Sequence, residues 1–201
     1  MIIGITGGSG CGKTTLLSAI QELGGLVLDC DAIYHVQLKT NQKMLRAIEQ
    51  RFPGTVLDGQ LDRKKLGAIV FSDEAALQDL NKITHAAVKE KVCHILDENP
   101  GRLAAIDAIG LFEGGLAELC DVTVAVTAPE DARVERLVAR EGISPEYARL
   151  RIRAQRSDAE FSALCHHTLE NDSTLEAFQS KCLAFLNKLA IIKENDKGEF
   201  L

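Results

Sequence analysis

Tryptophan is absent from this chain of 201 residues, and aromatic side chains make up only 4% of it. A protein that binds single strands by stacking bases needs more ring surface than that. Positive charge is also in short supply. There are 23 Lys and Arg against 29 Asp and Glu, a net charge of −6, and the pI is about 5.4. That balance argues against a chain whose task is to coat nucleic acid or an anionic membrane, while leaving room for a local basic pocket. No apolar run approaches the roughly 18 residues of a membrane span, and the opening MIIGITGG has no basic n-region. Neither a span nor a signal peptide is expected. The six cysteines (Cys11, Cys30, Cys93, Cys120, Cys165 and Cys182) form no Cys-x-x-Cys pair, which excludes a zinc ribbon. They read as reduced thiols of a cytoplasmic protein.

What is present is ordinary globular material. Hydrophobic residues at 46% and charged residues at 26% exclude a largely disordered chain. The length suits one large domain or two small ones and can bury a core without metal or disulfide staples. Apolar runs of strand type occur at 2–6, 26–28, 103–106 and 122–126, with a weaker one at Thr168-Leu169. Helical spacing predicts helices over 13–23, 132–140, 145–163 and 175–189, with a polar, fraying tail from Lys193. The segment 32–99 reads as almost wholly helical, broken by turns at Pro53-Gly54 and Asp58-Gly59. Strands alternating with helices imply an α/β fold with a parallel sheet between helical layers. The helical block is too long for a plain crossover, so it reads as an insertion that holds a second substrate.

Gly7-Gly8-Ser9-Gly10-Cys11-Gly12-Lys13-Thr14 fits G-x-x-x-x-G-K-[ST] at every fixed position, between a strand and a helix. Glycines let successive backbone N–H groups turn inward on a phosphate, and the helix N-terminus adds a favourable dipole. In such a loop Lys13 reaches the β- and γ-phosphates and the Thr14 hydroxyl ligates Mg²⁺. Gly8, Ser9, Gly10, Cys11, Gly12 and Thr15 complete the ATP-binding candidates. Cys11, near Lys13 and a helix N-terminus, has two readings: an activated thiol, or a small side chain that the loop tolerates.

Asp29 and Asp31 follow the second strand, where the carboxyl ends of a parallel sheet face its ligand. One could take the proton of an attacking hydroxyl. The competing reading makes Asp31 the N-cap of the helix beginning near Ala32. Asp107 after the third strand is a loose match to a second Mg²⁺-supporting carboxylate. Arg133, Arg136, Arg140, Arg149, Arg151, Arg153 and Arg156 form an arginine-dense stretch. Two or three of them would neutralise a phosphoryl group from a mobile lid, and the rest pair with Glu135, Glu141 and Glu146. Cys165-His166-His167 lacks the spacing of a metal site.

Taken in order, these segments resemble the dephospho-coenzyme A kinase family over roughly 2–190. The segments are Thr6 to Thr14, Asp29-x-Asp31 with His35, Leu61-Asp62-Arg63 with Val70-Phe71, and Leu80-Asn81 with Thr84-His85. They continue with Leu111-Phe112-Glu113, Arg136 and Arg140, Arg151-Ile152-Arg153-Ala154-Gln155, and Asn171. The resemblance implies a P-loop kinase-type sheet, core about 1–31 and 101–201, with a helical acceptor-binding part about 32–100 and a lid about 140–164. It implies ATP-dependent phosphorylation of the ribose 3′-hydroxyl of dephospho-coenzyme A, with Mg²⁺, by a monomer or small homo-oligomer that binds neither nucleic acid nor membrane. It also implies Asp31 as general base, Arg140 with Lys13 on the transferring group, and Asn171 near the adenine. Asp29, His35, Arg63, His85 and Glu113 fall on the acceptor side. The chain departs from the family pattern at Ile109-Gly110, at Ala86 and at Asp172-Ser173. Another small hydroxyl acceptor such as a nucleoside, or a non-catalytic nucleotide-binding paralogue, are the alternatives. A GTPase-type switch is disfavoured, because Asn81-Lys82-Ile83-Thr84 lacks the guanine-reading Asp.

Overall fold

The computed structural model describes residues 1–198, with side chains to residue 190. Its chain contacts divide it into two compact units. The first unit comprises residues 1–27, 102–109 and the chain from 120 onward, and the second comprises 28–101 and 110–119.

The first unit is built on the sheet order β2-β5-β1-β6-β7. The strands of this sheet are β1 (Ile2–Thr6), β2 (Leu26–Asp29, of which Leu28 and Asp29 fall in the second unit), β5 (Ala104–Asp107), β6 (Val122–Thr127) and β7 (His167–Glu170). β1 pairs in parallel with β5 and β6, and β6 in parallel with β7. All six residues of β6 are buried, as expected of a central strand covered on both faces. The weakly signalled fifth strand is real. It is short because His167 and Thr168 face less buried surroundings, leaving Leu169 as its one core residue. Helix α1 (Lys13–Glu22) turns Leu16, Leu17 and Ile20 into the core at helical spacing. There it packs on α9 (Leu175–Gly198) and Phe178, Cys182 and Leu186. α9 carries the helix past Lys193, where fraying was expected, and the last three positions lie outside the described residues.

One expected helix is two. The span 145–163 divides into α7 (Pro145–Arg153) and α8 (Asp158–Leu164). The break comes from Ser157, whose hydroxyl accepts from Glu160 N while Glu160 returns the bond to Ser157 N, a full capping box that starts a new helix. α6 (Glu130–Glu141) ends at Gly142.

The second unit contains α2 (Cys30–Thr40), α3 (Gln42–Arg51), α4 (Arg63–Val70) and α5 (Glu74–Asp97). Leu38, Met44, Ile48, Phe52, Leu66, Val70, Ala76, Leu80 and Ala87 form its core. The segment is not wholly helical. β3 (Val56–Leu57) and β4 (Gln60–Leu61) make a minimal antiparallel hairpin around Asp58-Gly59. Both turn residues have positive φ, 50° and 73°, as the two-residue turn of a tight hairpin requires. Two-residue strands are too short to show an alternating pattern, so only the turn was legible. Glu49 anchors the approach to β3 by accepting from Gly54 N and Val56 N. No described helix is long and apolar enough to cross a membrane.

Candidate active site

The phosphate loop joins β1 to α1, and its geometry follows from where its carbonyls go. Gly7 O accepts from Lys13 Nζ at 3.0 Å, and Gly8 O from Cys11 N at 3.3 Å. Ser9 O accepts from Arg133 Nε at 2.9 Å, and Gly10 O from Arg136 Nη1 at 3.1 Å. Cys11 O accepts from Asn171 Nδ2 at 3.0 Å, and Gly12 O from Thr15 N at 3.0 Å. A trans peptide points its N–H opposite to its C=O. Tying the carbonyls of Ser9, Cys11 and Gly12 to α6, Asn171 and α1 therefore turns the N–H groups of Gly10, Gly12 and Lys13 the other way. The first turn of α1 has no acidic residue and no side-chain cap, so its N–H groups add to the same anion-binding concavity. Thr14 is exposed at that helix start, and Asp107 ends β5 in register with Ile5 of the neighbouring strand.

Arg133, Arg136 and Arg140 lie at i, i+3 and i+7 on α6, one face of a helix. The structure brings the first two to the loop and not the third. Arg133 is only 4% exposed and donates through Nη1 to Asp158 Oδ1 at 2.9 Å. Arg140 is exposed and paired with Glu141, which Arg151 shares. Arg149 and Arg153 keep the solvated role expected of most of these side chains, but they pair with Glu130 rather than with Glu135 or Glu146. Arg133 and Gln155 were missed as loop-binding residues. The period of α6 could have pointed to Arg133, and the segment Arg151-Ile152-Arg153-Ala154-Gln155 singled out Gln155 without showing that it reaches Ser9 across 146 residues.

The Asn171 side chain lies behind the phosphate loop. It is buried, and its Nδ2 donates to the Cys11 carbonyl. The reason is its place directly after β7, where its N–H continues the sheet onto Thr127 O at 2.8 Å. Cys11 is buried too, and burial pushes its thiol up despite Lys13 and Arg133 nearby. It is therefore the tolerated small side chain, not the activated thiol. His166 Nδ1 accepts from Thr123 N, and among the described residues no cluster of His, Cys, Asp or Glu could hold a metal ion.

The acceptor-side candidates belong to the second unit. Asp29, not Asp31, is the N-cap of α2, accepting from Ala32 N at 2.9 Å. The helix starts at Cys30, two residues earlier than expected, which leaves Asp31 exposed in its first turn without a capping duty. His35, also exposed, lies against the Tyr34 ring. Burial pushes the Tyr34 hydroxyl up, offset in part by the charge of Arg63. Arg63 lines a cavity of about 610 Å³ with Lys39, Gly59 and Gln60. His85 and Glu113 line another, of about 480 Å³, with Gln78, Asn81 and Lys82. A β-carbon on Gly110 would lie about 4 Å from His85 Nε2 and Glu113 Oε2. The departure at this position thus leaves extra room beside both side chains.

A family model for dephospho-CoA kinase matches residues 1–177. The chain belongs to the dephospho-CoA kinase family. Among curated members it is similar to the dephospho-CoA kinase of Moorella thermoacetica. The two are 34% identical over 94% of this chain and 92% of the relative. It is also similar to the solved structure of TT1252 from Thermus thermophilus, with a TM-score of 0.76 and 34% identity over 94% and 97% of the two chains. Dephospho-CoA kinase from Campylobacter jejuni superposes with a TM-score of 0.64 and 25% identity, covering 99% of this chain and 98% of that one. The family fold is the P-loop kinase sheet described above, and the phosphate loop at Gly7–Thr14 lies within the matched residues.

Proposed function

We propose that this chain transfers the γ-phosphoryl group of ATP to the ribose 3′-hydroxyl of dephospho-coenzyme A, forming coenzyme A and ADP. The observation that carries the reading is the phosphate loop, whose tied-back carbonyls aim a row of N–H groups at one anion site. Asp31 accepts the proton of the 3′-hydroxyl as its oxygen attacks the γ-phosphorus. The bond to the bridging oxygen breaks, and ADP leaves with that electron pair. Lys13 exchanges Gly7 O for the phosphate oxygens, and Arg140 leaves Glu141 to neutralise charge that spreads onto the transferring group. The hard oxygens of Thr14 and Asp107 suit Mg²⁺, which they would hold there. Held there, the ion would supply positive charge to offset the negative charge of the nucleotide's phosphates. Asp29, His35, Arg63, His85 and Glu113 bind the acceptor, and residues 140–164 form the lid. The loop at Asn171 contributes to the ATP site by bracing Cys11. The reading places the enzyme in the cytoplasm, as a monomer or small homo-oligomer acting on small molecules, which suits six free cysteines.

The test is mass spectrometry of dephospho-coenzyme A after incubation with protein, ATP and Mg²⁺. A gain of one phosphoryl group is expected, lost in Lys13→Ala. No gain with ATP binding intact would overturn the acceptor assignment. The departure at Gly110 beside His85 and Glu113 favours a second reading, a kinase of another small hydroxyl substrate such as a nucleoside. A nucleoside panel would reveal it.

A further inference from the structure

All three polar groups of Ser9 are held by side chains from far along the chain. Its N–H donates to Gln155 Oε1 at 2.8 Å, and its hydroxyl accepts from Gln155 Nε2 at 2.9 Å. Its carbonyl accepts from Arg133 Nε at 2.9 Å. One amide side chain thus reads the backbone and the side chain of one loop residue, using an acceptor and a donor together. The brace behind it is stiff. Arg133 is held by Asp158, whose other oxygen accepts from Ala128 N at the end of β6. Gly8 leaves the space that this arrangement occupies. A β-carbon on Gly8 would stand 2.0 Å from Arg133 Nη2 and 3.2 Å from Gln155 Oε1.

Two peptide planes are set by these bonds. The Ser9 N–H orients the plane between Gly8 and Ser9, and the Ser9 carbonyl orients the plane between Ser9 and Gly10. The second plane fixes the direction of the Gly10 N–H, which points away from Arg133 Nε and so belongs to the anion-binding concavity. Gln155 sits where the chain passes from α7 to α8, two residues before the Ser157 cap. The α7–α8 connection cannot lift away from the loop without breaking both bonds to Ser9. We propose that Gln155 is a positioning residue for phosphoryl transfer, acting through Ser9 to couple the α7–α8 connection to the geometry of the phosphate loop. The proposal rests on the kinase reading above.

The experiment compares steady-state kinetics of wild type, Gln155→Ala, Ser9→Ala and the double variant, with a melting curve for each. Gln155→Ala is expected to lower kcat by about 10- to 100-fold, the cost of a reacting group misplaced by an ångström or less. The KM for dephospho-coenzyme A should stay within about twofold, because uniform binding is not what is lost. Ser9→Ala removes only the hydroxyl bond and should cost about threefold on the same scale. The double variant should match Gln155→Ala alone, since both substitutions act on one contact. Additive losses, or a raised KM with kcat intact, would overturn the proposal. Should Gln155→Ala melt below the assay temperature, Gln155→Glu takes its place. It keeps an acceptor for the Ser9 N–H and is expected to retain more kcat than Ser9→Ala/Gln155→Glu, and equal rates would overturn the coupling. An inactive wild type overturns the kinase reading and this inference with it, whereas an active wild type with undiminished variants overturns the inference alone.

Discussion

A single methyl group at position 8 separates two ways of making a glycine-rich loop. Elsewhere in the loop glycine supplies unusual backbone angles, but at Gly8 it supplies space for the Arg133 guanidinium. A flexible arginine would ordinarily swing aside, but this one is 4% exposed and held at both Nε and Nη1. Gly8→Ala is therefore expected to reproduce Arg133→Ala. Both should weaken binding of a non-hydrolysable ATP analogue by a similar factor, measured by calorimetry, and an unaffected Gly8→Ala would contradict the close packing. The acidic pair divides in the same residue-by-residue way. Asn caps a helix as well as Asp does, so Asp29→Asn keeps α2 intact and tests charge alone. Asp31→Asn is expected to lower kcat by about 10²- to 10⁴-fold, the range for a lost general base, with ATP-analogue affinity unchanged. Asp29→Asn should act on the acceptor KM and spare kcat. Equal small losses from both would remove Asp31 from its role.

Helices and turns have their own dependence on solution conditions. Glu49 ends the α3 approach to the β3–β4 hairpin, and its bonds from the Gly54 and Val56 N–H groups hold its carboxyl below the ordinary 4.5. A lowered folded value means that the carboxylate form favours the folded state. Its contribution is complete above the ordinary value and is lost as pH falls from there through the folded value. Wild type should lose melting temperature over that acid interval more steeply than Glu49→Gln, whose amide does not titrate. Parallel curves would show that the turn does not depend on the charge. The same element shows how far local pattern reached. Asp58-Gly59 announced a turn, but strands of two residues carry no period to read. In 145–163 the apolar spacing was continuous enough to suggest one helix, and the capping box at Ser157 interrupted it.

At the scale of the whole molecule, the thiols report on packing. Burial pushes Cys11 up, and it pushes Cys182, in the core between α1 and α9, up to about 11. Cys120 is pushed up to about 12 by burial, with Asp121 adding to the effect. Thiolate is the reactive form, so maleimide at neutral pH should spare Cys11 and Cys182 in the native protein. All six should label in denaturant, as peptide mass mapping would show. Rapid native labelling of Cys11 would mean that the phosphate loop opens far more often than its bonding suggests.

Local chemistry was enough to place the strand, loop and helix of the nucleotide site, because glycine freedom, apolar period and the Lys-Thr pair act within one turn of chain. The same held for the strands of the five-stranded sheet and for the starts of α1, α7 and α9, but not for the helix boundaries within 32–99. The ordered motifs from Thr6 to Asn171 also carried the family. Which side chains hold the loop was decided elsewhere. Ser9 meets Arg133 across 124 residues and Gln155 across 146, and Cys11 meets Asn171 across 160. Asp31 lost its capping duty because the chain turned into α2 two residues early. Asn171 turned inward because β7 continues the sheet up to it. Those outcomes depend on which strand lies beside which, and only the folded sheet, by setting β6 between β1 and β7, brings such distant positions within reach of a hydrogen bond.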